Sequence, residues 1–163
     1  MIEGAKMSMG ERIREYLAAS GVRYRIHTHA HTGTTLESAY AAHVSPKLIA
    51  KAVLLRDAAG AVLAVLPSDE RLSVERVNAA LGRSCTLAGQ DDLAEVFADC
   101  AVGAVPALGV AYGIPTVLDR SLTGLDTVYF EAGDHKSLVE MAGLEFERLI
   151  EPVHVLAIEE PVN

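Results

Sequence analysis

Two apolar segments joined by a short connection restrict the fold of this chain more than any other feature of its sequence. Ile49–Asp57 and Ala61–Pro67 consist mainly of Val, Leu and Ala, and only Ala58-Ala59-Gly60 separates them. Segments of this length and composition predict the two strands of a β-hairpin. A β-sheet that contains this hairpin is therefore the expected centre of the fold.

Helical patterns and short strand patterns surround the hairpin. Two capping boxes, Ser8–Glu11 and Thr34–Glu37, predict helices over Met9–Ser20 and from Thr35 to about His43. Further helices are predicted at Ser73–Leu81, Gln90–Phe97, His135–Ala142 and Leu144–Ile150, and strands at Val22–Thr28, Ala101–Val102, Thr116–Asp119 and Thr127–Glu131. The segment Val153–Ile158 fits either a last strand or a surface segment. Because no linker or repeat divides the chain, we expect one α+β domain over residues 1–163, with a core at about 12–150 and a C-terminal tail at 151–163.

The composition argues against disorder and against a membrane span. Half of the 163 residues are apolar, which is enough to bury a core. The 19 residues of Cys100–Leu118 carry no charge, but Gly103 and Pro106 are among the residues that interrupt any helix there. The first residues do not resemble a secretory signal. We therefore expect a cytoplasmic protein that does not use a membrane as a partner.

The charge is distributed unevenly along the chain. The net charge is −8, yet residues 1–56 hold eight basic and four acidic side chains, so this third carries +4 and the remainder −12. Most of the surface would repel a nucleic acid, whose phosphates are negative. A nucleic-acid partner is therefore expected to contact only a limited patch.

Lys51 is a charged residue in an apolar strand pattern. Alternation along the predicted strand puts its side chain on the same face as Ile49, Val53 and Leu55. Burying an ammonium group is costly unless an anion or several acceptors meet it. Two interpretations stay open: a ligand-binding lysine, or a lysine at a strand end whose ammonium reaches water.

A Gly/Pro-rich segment and several histidines are further candidates for a site. Backbone N–H groups in the loop Val102–Gly109 can approach a ligand oxygen closely, although most such loops are ordinary turns. His27, His29 and His31 alternate in a way that would suit a metal ion, but solvated or hydrogen-bonded histidines are the favoured interpretation, and no metal or other cofactor is expected. His135 follows a predicted strand, as a site residue or as a neighbour of a helix cap.

Several segments, taken in order, resemble the YbaK/prolyl-tRNA-synthetase-associated domain family of aminoacyl-tRNA editing deacylases. The resemblance extends from about Arg12 to Ile150. It rests on His29 with Thr34–Ala39, and on Leu48–Leu55, Asp99–Pro106, Asp119–Leu122 and Phe130–His135.

The resemblance implies a compact α+β fold with a curved, mixed, partly barrel-like sheet flanked by helices. It implies a free-standing trans-editing deacylase that binds the acceptor end of aminoacyl-tRNA and hydrolyses the ester of a wrongly attached small amino acid. A homodimer or an aminoacyl-tRNA synthetase is a further expected partner. Lys51, Gly103 and Ala104 would be catalytic, the last two as oxyanion donors. The substrate-binding residues would be His29, Pro106, Tyr112, Asp119, Gly133 and His135.

Some alternatives remain open at this stage. The family's Gly-x-x-x-Pro loop is one residue shorter here, in Gly103–Pro106, so the amino acid that is edited stays undetermined among alanine, cysteine, serine and proline. A non-catalytic module that binds aminoacyl ends or amino acids fits the same resemblance. A metal-dependent hydrolase built on His27, His29 and His31 is the third reading.

Overall fold

A mixed eight-stranded sheet flanked by five helices accounts for the regular structure in the computed structural model, which describes residues 10–30, 32, 34–101 and 104–161. The helices are α1 (Glu11–Ser20), α2 (Thr35–Ala41), α3 (Val74–Leu81), α4 (Gln90–Val96) and α5 (Gly143–Ile150). The strands are β1 (Arg25–Thr28), β2 (Ile49–Asp57), β3 (Gly60–Pro67), β4 (Thr86–Leu87), β5 (Thr116–Asp119), β6 (Thr127–Glu131), β7 (Ser137–Ala142) and β8 (His154–Leu156). Short 3₁₀ turns occur at Pro46–Leu48, Gly109–Tyr112 and Arg120–Leu122.

The strands follow the order β1-β7-β6-β2-β3-β5-β8, and β4 adds a short pairing to β2. β2 runs antiparallel to β3 and parallel to β6, so the sheet is mixed as expected. β1 and β8 lie at opposite ends of this order, and the sheet does not close into a barrel. The expected α+β domain is confirmed, while the barrel-like part of the expectation is corrected to an open sheet.

The predicted hairpin is confirmed and separates two layers of the protein. Along β2, Ala50 and Leu54 belong to the main apolar core, which α1 and α5 cover. The alternate residue Leu55 belongs to a smaller cluster with Val77 of α3. We call the surface that carries Leu55 and its alternate neighbours the second face of the sheet.

β7 corrects one prediction. Residues His135–Ala142 were expected to form a helix, but Ser137–Ala142 form a strand that pairs with both β1 and β6. Leu138 packs on the second face with Ala39 of α2, and Val139 packs into the main core. Burial on both faces and two ladders of hydrogen bonds outweigh the helical preference of Leu, Glu, Met and Ala.

The ends of the elements agree with part of the capping analysis. The Thr34 side chain accepts a hydrogen bond from the Glu37 N–H, as the second capping box predicts. α1 begins after Gly10, whose position has no side-chain cap, and Ser8 lies outside the described residues. The segment after residue 150, which was left open, contains β8 and pairs in parallel with β5.

Within the described ranges, no helix combines the length and the apolar character that a membrane crossing requires.

Leu138 and Leu144 provide a matched test of the corrected strand, because both fall in segments that were predicted to be helical. Leu138 is fully buried and Leu144 is 79% exposed. Leu138→Ala is expected to lower the free energy of unfolding by about 2–5 kcal/mol, since it leaves a cavity beneath α2. Leu144→Ala should change it by less than about 0.5 kcal/mol. Urea unfolding measures both, and equal losses would contradict the burial of Leu138 on the second face that the strand produces.

Candidate functional site

Lys51 and Glu131 lie next to each other on two parallel strands. Ala50 of β2 is in register with Phe130 of β6, so the following residues, Lys51 and Glu131, are neighbours on the second face. Neighbouring strands are about 4.8 Å apart, which brings the two backbones close together at this level. The register thus pairs the one lysine of β2 with the acidic residue that ends β6.

The sheet has a gap beside this pair. On the edge of β2 that carries β6, pairing to β6 involves Ile49 and Ala50, and pairing to β4 resumes at Leu55. In the described residues no strand pairs with Ala52 or Val53 on this edge. Lys51 therefore lies where the sheet opens, as expected for a residue that meets a ligand.

The apolar clusters of the second face leave Lys51 between them. Ile49 packs with Ala39 of α2 in one cluster, whereas Val53 and Leu55 pack against the cluster beneath α3. Lys51 is half-buried, and no described residue holds it through a hydrogen bond or an ion pair. α2 and α3 thus flank a lysine that lacks a fixed partner.

Burial lowers the pKa of Lys51 below its ordinary value. The carboxylates of Asp69 and Glu70, in the loop after β3, oppose this shift, and Arg71 adds to it. Asp69 also accepts a hydrogen bond from Lys47 at 2.9 Å, which divides its charge between two lysines. The Lys51 ammonium is therefore partly removed from water, and no carboxylate of the described residues is paired with it. This state favours binding of an anionic or polar group.

Glu131 is fully buried, and only one of its oxygens has a hydrogen-bond partner. The hydroxyl of Ser38 in α2 donates to Oε2 at 2.9 Å, whereas no described residue forms a hydrogen bond to Oε1. Burial raises the pKa of Glu131 to about 7, and the hydroxyls of Ser38 and Thr35 and the nearby His135 oppose that shift only in part. The group can therefore exchange a proton near neutral pH.

A short hydroxyl chain holds α2 against Glu131. Thr32 Oγ1 and Ser38 Oγ are 2.7 Å apart, and the Ser38 hydroxyl lies 3.2 Å from the Thr34 carbonyl. Ser38 is buried because the capped start of α2 directs this turn towards the sheet. The same contacts fix the position of the segment that precedes α2 beside β6.

Three of the predicted substrate-binding residues surround the turn between β6 and β7. Gly133 has φ +109°, and a Cβ there would lie 3.1 Å from the Cys100 sulfur, so the turn requires glycine. His135 is buried with φ +60°, and its carbonyl accepts the Thr32 N–H. His29 continues the β1–β7 ladder by donating its N–H to the Lys136 carbonyl at 2.7 Å. The structure thus brings His29, Gly133 and His135 together at the end of β6.

The residues of the predicted loop pack towards the other face. Pro106 is buried beside the main core, and the Ala104 N–H donates to the Ala101 carbonyl at 3.1 Å, so this expected oxyanion donor is already paired. Gly103 lies outside the described residues.

Tyr112 also lies on the side of the main core rather than with Lys51. Its hydroxyl donates to Asp99 at 3.0 Å, and its ring lies beneath the Arg12 guanidinium at 5.2 Å. Asp99 in turn accepts the Arg12 N–H at 2.8 Å, at the start of α1. The group anchors α1, and the sheet separates it from Lys51.

Asp119 is on the same face as Lys51, but its carboxylate already accepts hydrogen bonds from the backbone. Lys51 is in register with Leu66, and Val65 with Leu118, so Asp119 follows two strands away from Lys51 on the second face. Its carboxylate accepts the N–H groups of Ile158 at 2.8 Å and Ser121 at 3.1 Å. These contacts fix the C-terminal tail.

No group of three or more potential metal ligands occurs in the part of the chain that the structure describes. His27 Nε2 contacts Glu140, and His29 Nδ1 lies 2.7 Å from the Ala30 carbonyl. His31 lies outside the described residues.

Two residues that complete this site were not among the sequence candidates. Glu131 could have been found from the sequence, because it is an acidic residue at the end of an apolar strand. Alternation along that strand puts it on the same face as Tyr129. Ser38 carries no comparable signal, since a serine inside a capped helix is common and its partner is 93 residues away. Only the packing of α2 on β6 identifies it.

The family model described as aminoacyl-tRNA editing domain matches residues 29–149, which includes α2, Lys51 and the β6–β7 turn. No curated protein is significantly similar to the chain.

Several solved structures share the fold. A hypothetical protein is 28% identical with a TM-score of 0.80, over 92% of this chain and 100% of its own. A protein named as a candidate trans-editing enzyme for prolyl-tRNA synthetase is 24% identical with a TM-score of 0.79, over 92% of this chain and 96% of its own. A candidate signal transduction protein from Marinobacter aquaeolei VT8 is 20% identical with a TM-score of 0.74, and the match covers 92% of this chain but 30% of that longer one.

Glu131→Gln is expected to change how stability depends on pH. The raised pKa of Glu131 means that ionisation favours the unfolded chain, so the wild type loses stability as pH rises from about 4.5 to about 7. Glutamine cannot ionise, so the variant should gain on the wild type by up to about 3 kcal/mol at pH 8 and by less than about 1 kcal/mol at pH 5. Urea unfolding at both pH values measures this, with Glu140→Gln as the control. Parallel stability profiles for wild type and Glu131→Gln would contradict burial of the carboxyl.

Proposed function

Because the chain belongs to the family of aminoacyl-tRNA editing domains, we propose that it is a free-standing deacylase that hydrolyses the ester of a small amino acid wrongly attached to tRNA. The observation that carries this proposal is the half-buried Lys51 at the opening of the sheet, which has no hydrogen bond or ion pair with any residue that the structure describes. The candidate trans-editing enzyme for prolyl-tRNA synthetase, which shares the fold, adds support. The reaction would take place in the cytoplasm, where tRNA is charged.

Lys51 acts by binding the polar end of the substrate. Its desolvated ammonium binds the terminal phosphate or the ester carbonyl oxygen, and it stabilises the negative charge that develops on that oxygen during attack. The Ala104 N–H is paired with Ala101, so the lysine carries more of this task than a loop of backbone donors would.

The aminoacyl ester is already reactive towards attack at its carbonyl carbon. A water molecule, or a ribose hydroxyl that passes the acyl group on to water, attacks the carbonyl carbon to form a tetrahedral intermediate. The bond to the ribose oxygen then breaks, a proton returns to that oxygen, and the free amino acid and deacylated tRNA leave. No protein nucleophile is needed for these steps.

The edited amino acid is small in this proposal, and the choice among alanine, cysteine, serine and proline is left to experiment. A pocket that excludes larger side chains separates neighbouring substrates by only about 1–3 kcal/mol per methylene. A panel of mischarged tRNAs determines this preference directly.

Lys51→Ala is expected to lower the rate of deacylation by at least about 100-fold, because it removes the group that stabilises the developing oxyanion. The fold should persist, since the change removes a desolvated charge and leaves no unpaired partner. Release of labelled amino acid from mischarged tRNA measures the rate, and circular dichroism checks the fold.

Arg56→Ala is the matched control for this test. Arg56 is an exposed cation on the same strand, paired with Asp92, and its loss should leave turnover within about threefold of wild type. Unchanged turnover in Lys51→Ala would remove the central claim. Full activity in excess chelator is expected, and a complete loss there would favour the histidine-based metal hydrolase.

The paired Ala104 N–H favours one second candidate, a module that binds aminoacyl ends without hydrolysing them. Such a module would retain the Lys51 site but lack a second donor for the oxyanion. Tight binding of mischarged tRNA together with no release of amino acid would identify it.

The acceptor end is expected to meet the beginning of β1. Of the basic residues in the positively charged N-terminal third, Arg14, Lys47 and Arg56 form ion pairs with neighbouring acids. Arg23 and Arg25 are exposed and form no ion pair with any described residue. Their charge is therefore available to phosphates.

Replacing both Arg23 and Arg25 with Ala should weaken binding of uncharged tRNA and lower the slope of log K against log salt by about 1–2, because about two phosphate contacts are lost. The control is the double change Arg14→Ala and Arg148→Ala, which alters the net charge equally. Fluorescence anisotropy measures both. Equal effects in the two double variants would show that the contact is not at β1.

A further inference from the structure

We propose that Glu131 binds the α-ammonium group of the aminoacyl ester, and that the enzyme therefore requires a free amino group on its substrate. This inference rests on the proposed function, since it assigns the ligand of a residue at the same site. It adds a second charged contact to that of Lys51, and it makes Glu131 a specificity-determining residue.

The first argument is the unsatisfied oxygen of Glu131. The carboxyl is fully buried, Ser38 donates to Oε2, and Oε1 has no hydrogen-bond donor among the described residues. A buried polar atom without a partner costs free energy, and native proteins rarely leave one unless a ligand or water satisfies it. An ammonium group, with three donors, satisfies both the hydrogen bond and the charge.

The second argument is a comparison with another buried carboxyl on the same face, which has a structural role. Asp119 is equally buried, but N–H groups of Ile158 and Ser121 donate to its two oxygens. Burial raises the pKa of Asp119, but hydrogen bonds from the Ser121 hydroxyl, the two N–H groups and the Glu159 carboxyl hold it below its ordinary value. Glu131 has no backbone donor among the described residues, and its contacts with the hydroxyls of α2 leave Oε1 without a hydrogen bond.

The third argument is the position of Glu131 relative to Lys51. The two residues are neighbours on parallel strands and lie on one face. In an aminoacyl ester the amino group and the carbonyl oxygen are also neighbours, separated by two carbon atoms. The two strands are about 4.8 Å apart at this level, so a substrate whose carbonyl or adjacent phosphate binds the Lys51 ammonium lies beside the strand that Glu131 ends.

The fourth argument distinguishes the ammonium from the amino-acid side chain as the ligand. A carboxyl that exchanges its proton near neutral pH becomes ionised when a cation binds beside it. Every aminoacyl ester carries the α-ammonium, whereas a side-chain hydroxyl or thiol would be present only in some of the candidate substrates. A site that recognises the ammonium could therefore edit any of the small amino acids under consideration.

The experiment compares two non-hydrolysable analogues of the tRNA terminus. In both, 3′-amino-3′-deoxyadenosine carries an amide; one has an alanyl group and the other a propionyl group, which lacks only the amine. Calorimetry at pH 7.5 should show that the wild type binds the alanyl analogue about 10- to 100-fold more tightly, as expected for a hydrogen bond to a charged group. Glu131→Gln should bind the two analogues equally.

Glu140→Gln is the matched control, because Glu140 lies on the same face in β7 and contacts His27. This variant should retain the wild-type preference for the alanyl analogue. Lack of preference in the wild type, an unchanged preference in Glu131→Gln, or an equal loss in Glu140→Gln would each overturn the proposal. Binding of neither analogue by the wild type would also overturn it.

The same proteins are then assayed on alanyl-tRNA, or on the preferred ester from the panel, and on its N-acetylated form. Hydrolysis of both esters by the wild type would reject the ammonium subsite and leave the deacylase function standing. Discrimination between the analogues without any hydrolysis would support the subsite and reject the deacylase. If Glu131 binds the substrate, Glu131→Gln should raise KM with little change in kcat. If Glu131 only holds α2 in place, the same change should lower thermal stability and leave the preference for the amine unaltered.

Discussion

The parallel register of β2 and β6 is the constraint on which the candidate site depends. It sets Lys51 and Glu131 side by side on a face that is otherwise apolar. Each group loses solvation there, and neither has its charge fully compensated by the surrounding protein. A register shifted by one residue would move Glu131 into the main core and leave Lys51 beside a hydrophobic neighbour. On that face α2 packs against Glu131 through Ser38, and α3 lies on the other side of Lys51, which stays half-buried.

Burial of the Glu131 carboxyl lowers the stability of the folded state at neutral pH and above. A carboxyl with one satisfied oxygen destabilises the native state wherever it must ionise, whereas an apolar residue at the end of β6 would pack without that penalty. Perturbed pKa values of this kind cluster at functional sites in proteins, because reacting groups need pKa values matched to their task. The position of Lys51 at the gap in the sheet follows the same logic.

Carboxyl groups elsewhere in the chain serve the architecture. Asp99 anchors the start of α1 and accepts the Tyr112 hydroxyl, and Asp119 fixes the tail through Ile158. Burial and the adjacent Asp119 raise the pKa of Glu159 to about 7, which shows how closely the tail packs against β5. Asp99 and Asp119 have donors from the backbone or from neighbouring side chains. Oε2 of Glu159, like Oε1 of Glu131, has no hydrogen-bond partner among the described residues. Glu131 differs from Glu159 in lying beside Lys51 at the gap in the sheet.

The sequence alone determined the elements that depend on local pattern: the hairpin, the cap at Thr34, and the alternation that puts Lys51 on an apolar face. It also carried the family resemblance. Tertiary structure decided what depends on distant partners. Ser137–Ala142 is a strand because β1 and β6 pair with it, and Glu131 joins Lys51 because β6 lies parallel to β2. Periodicity reports which side chains share a face, but only packing shows which strands adjoin and which buried oxygen is left without a donor.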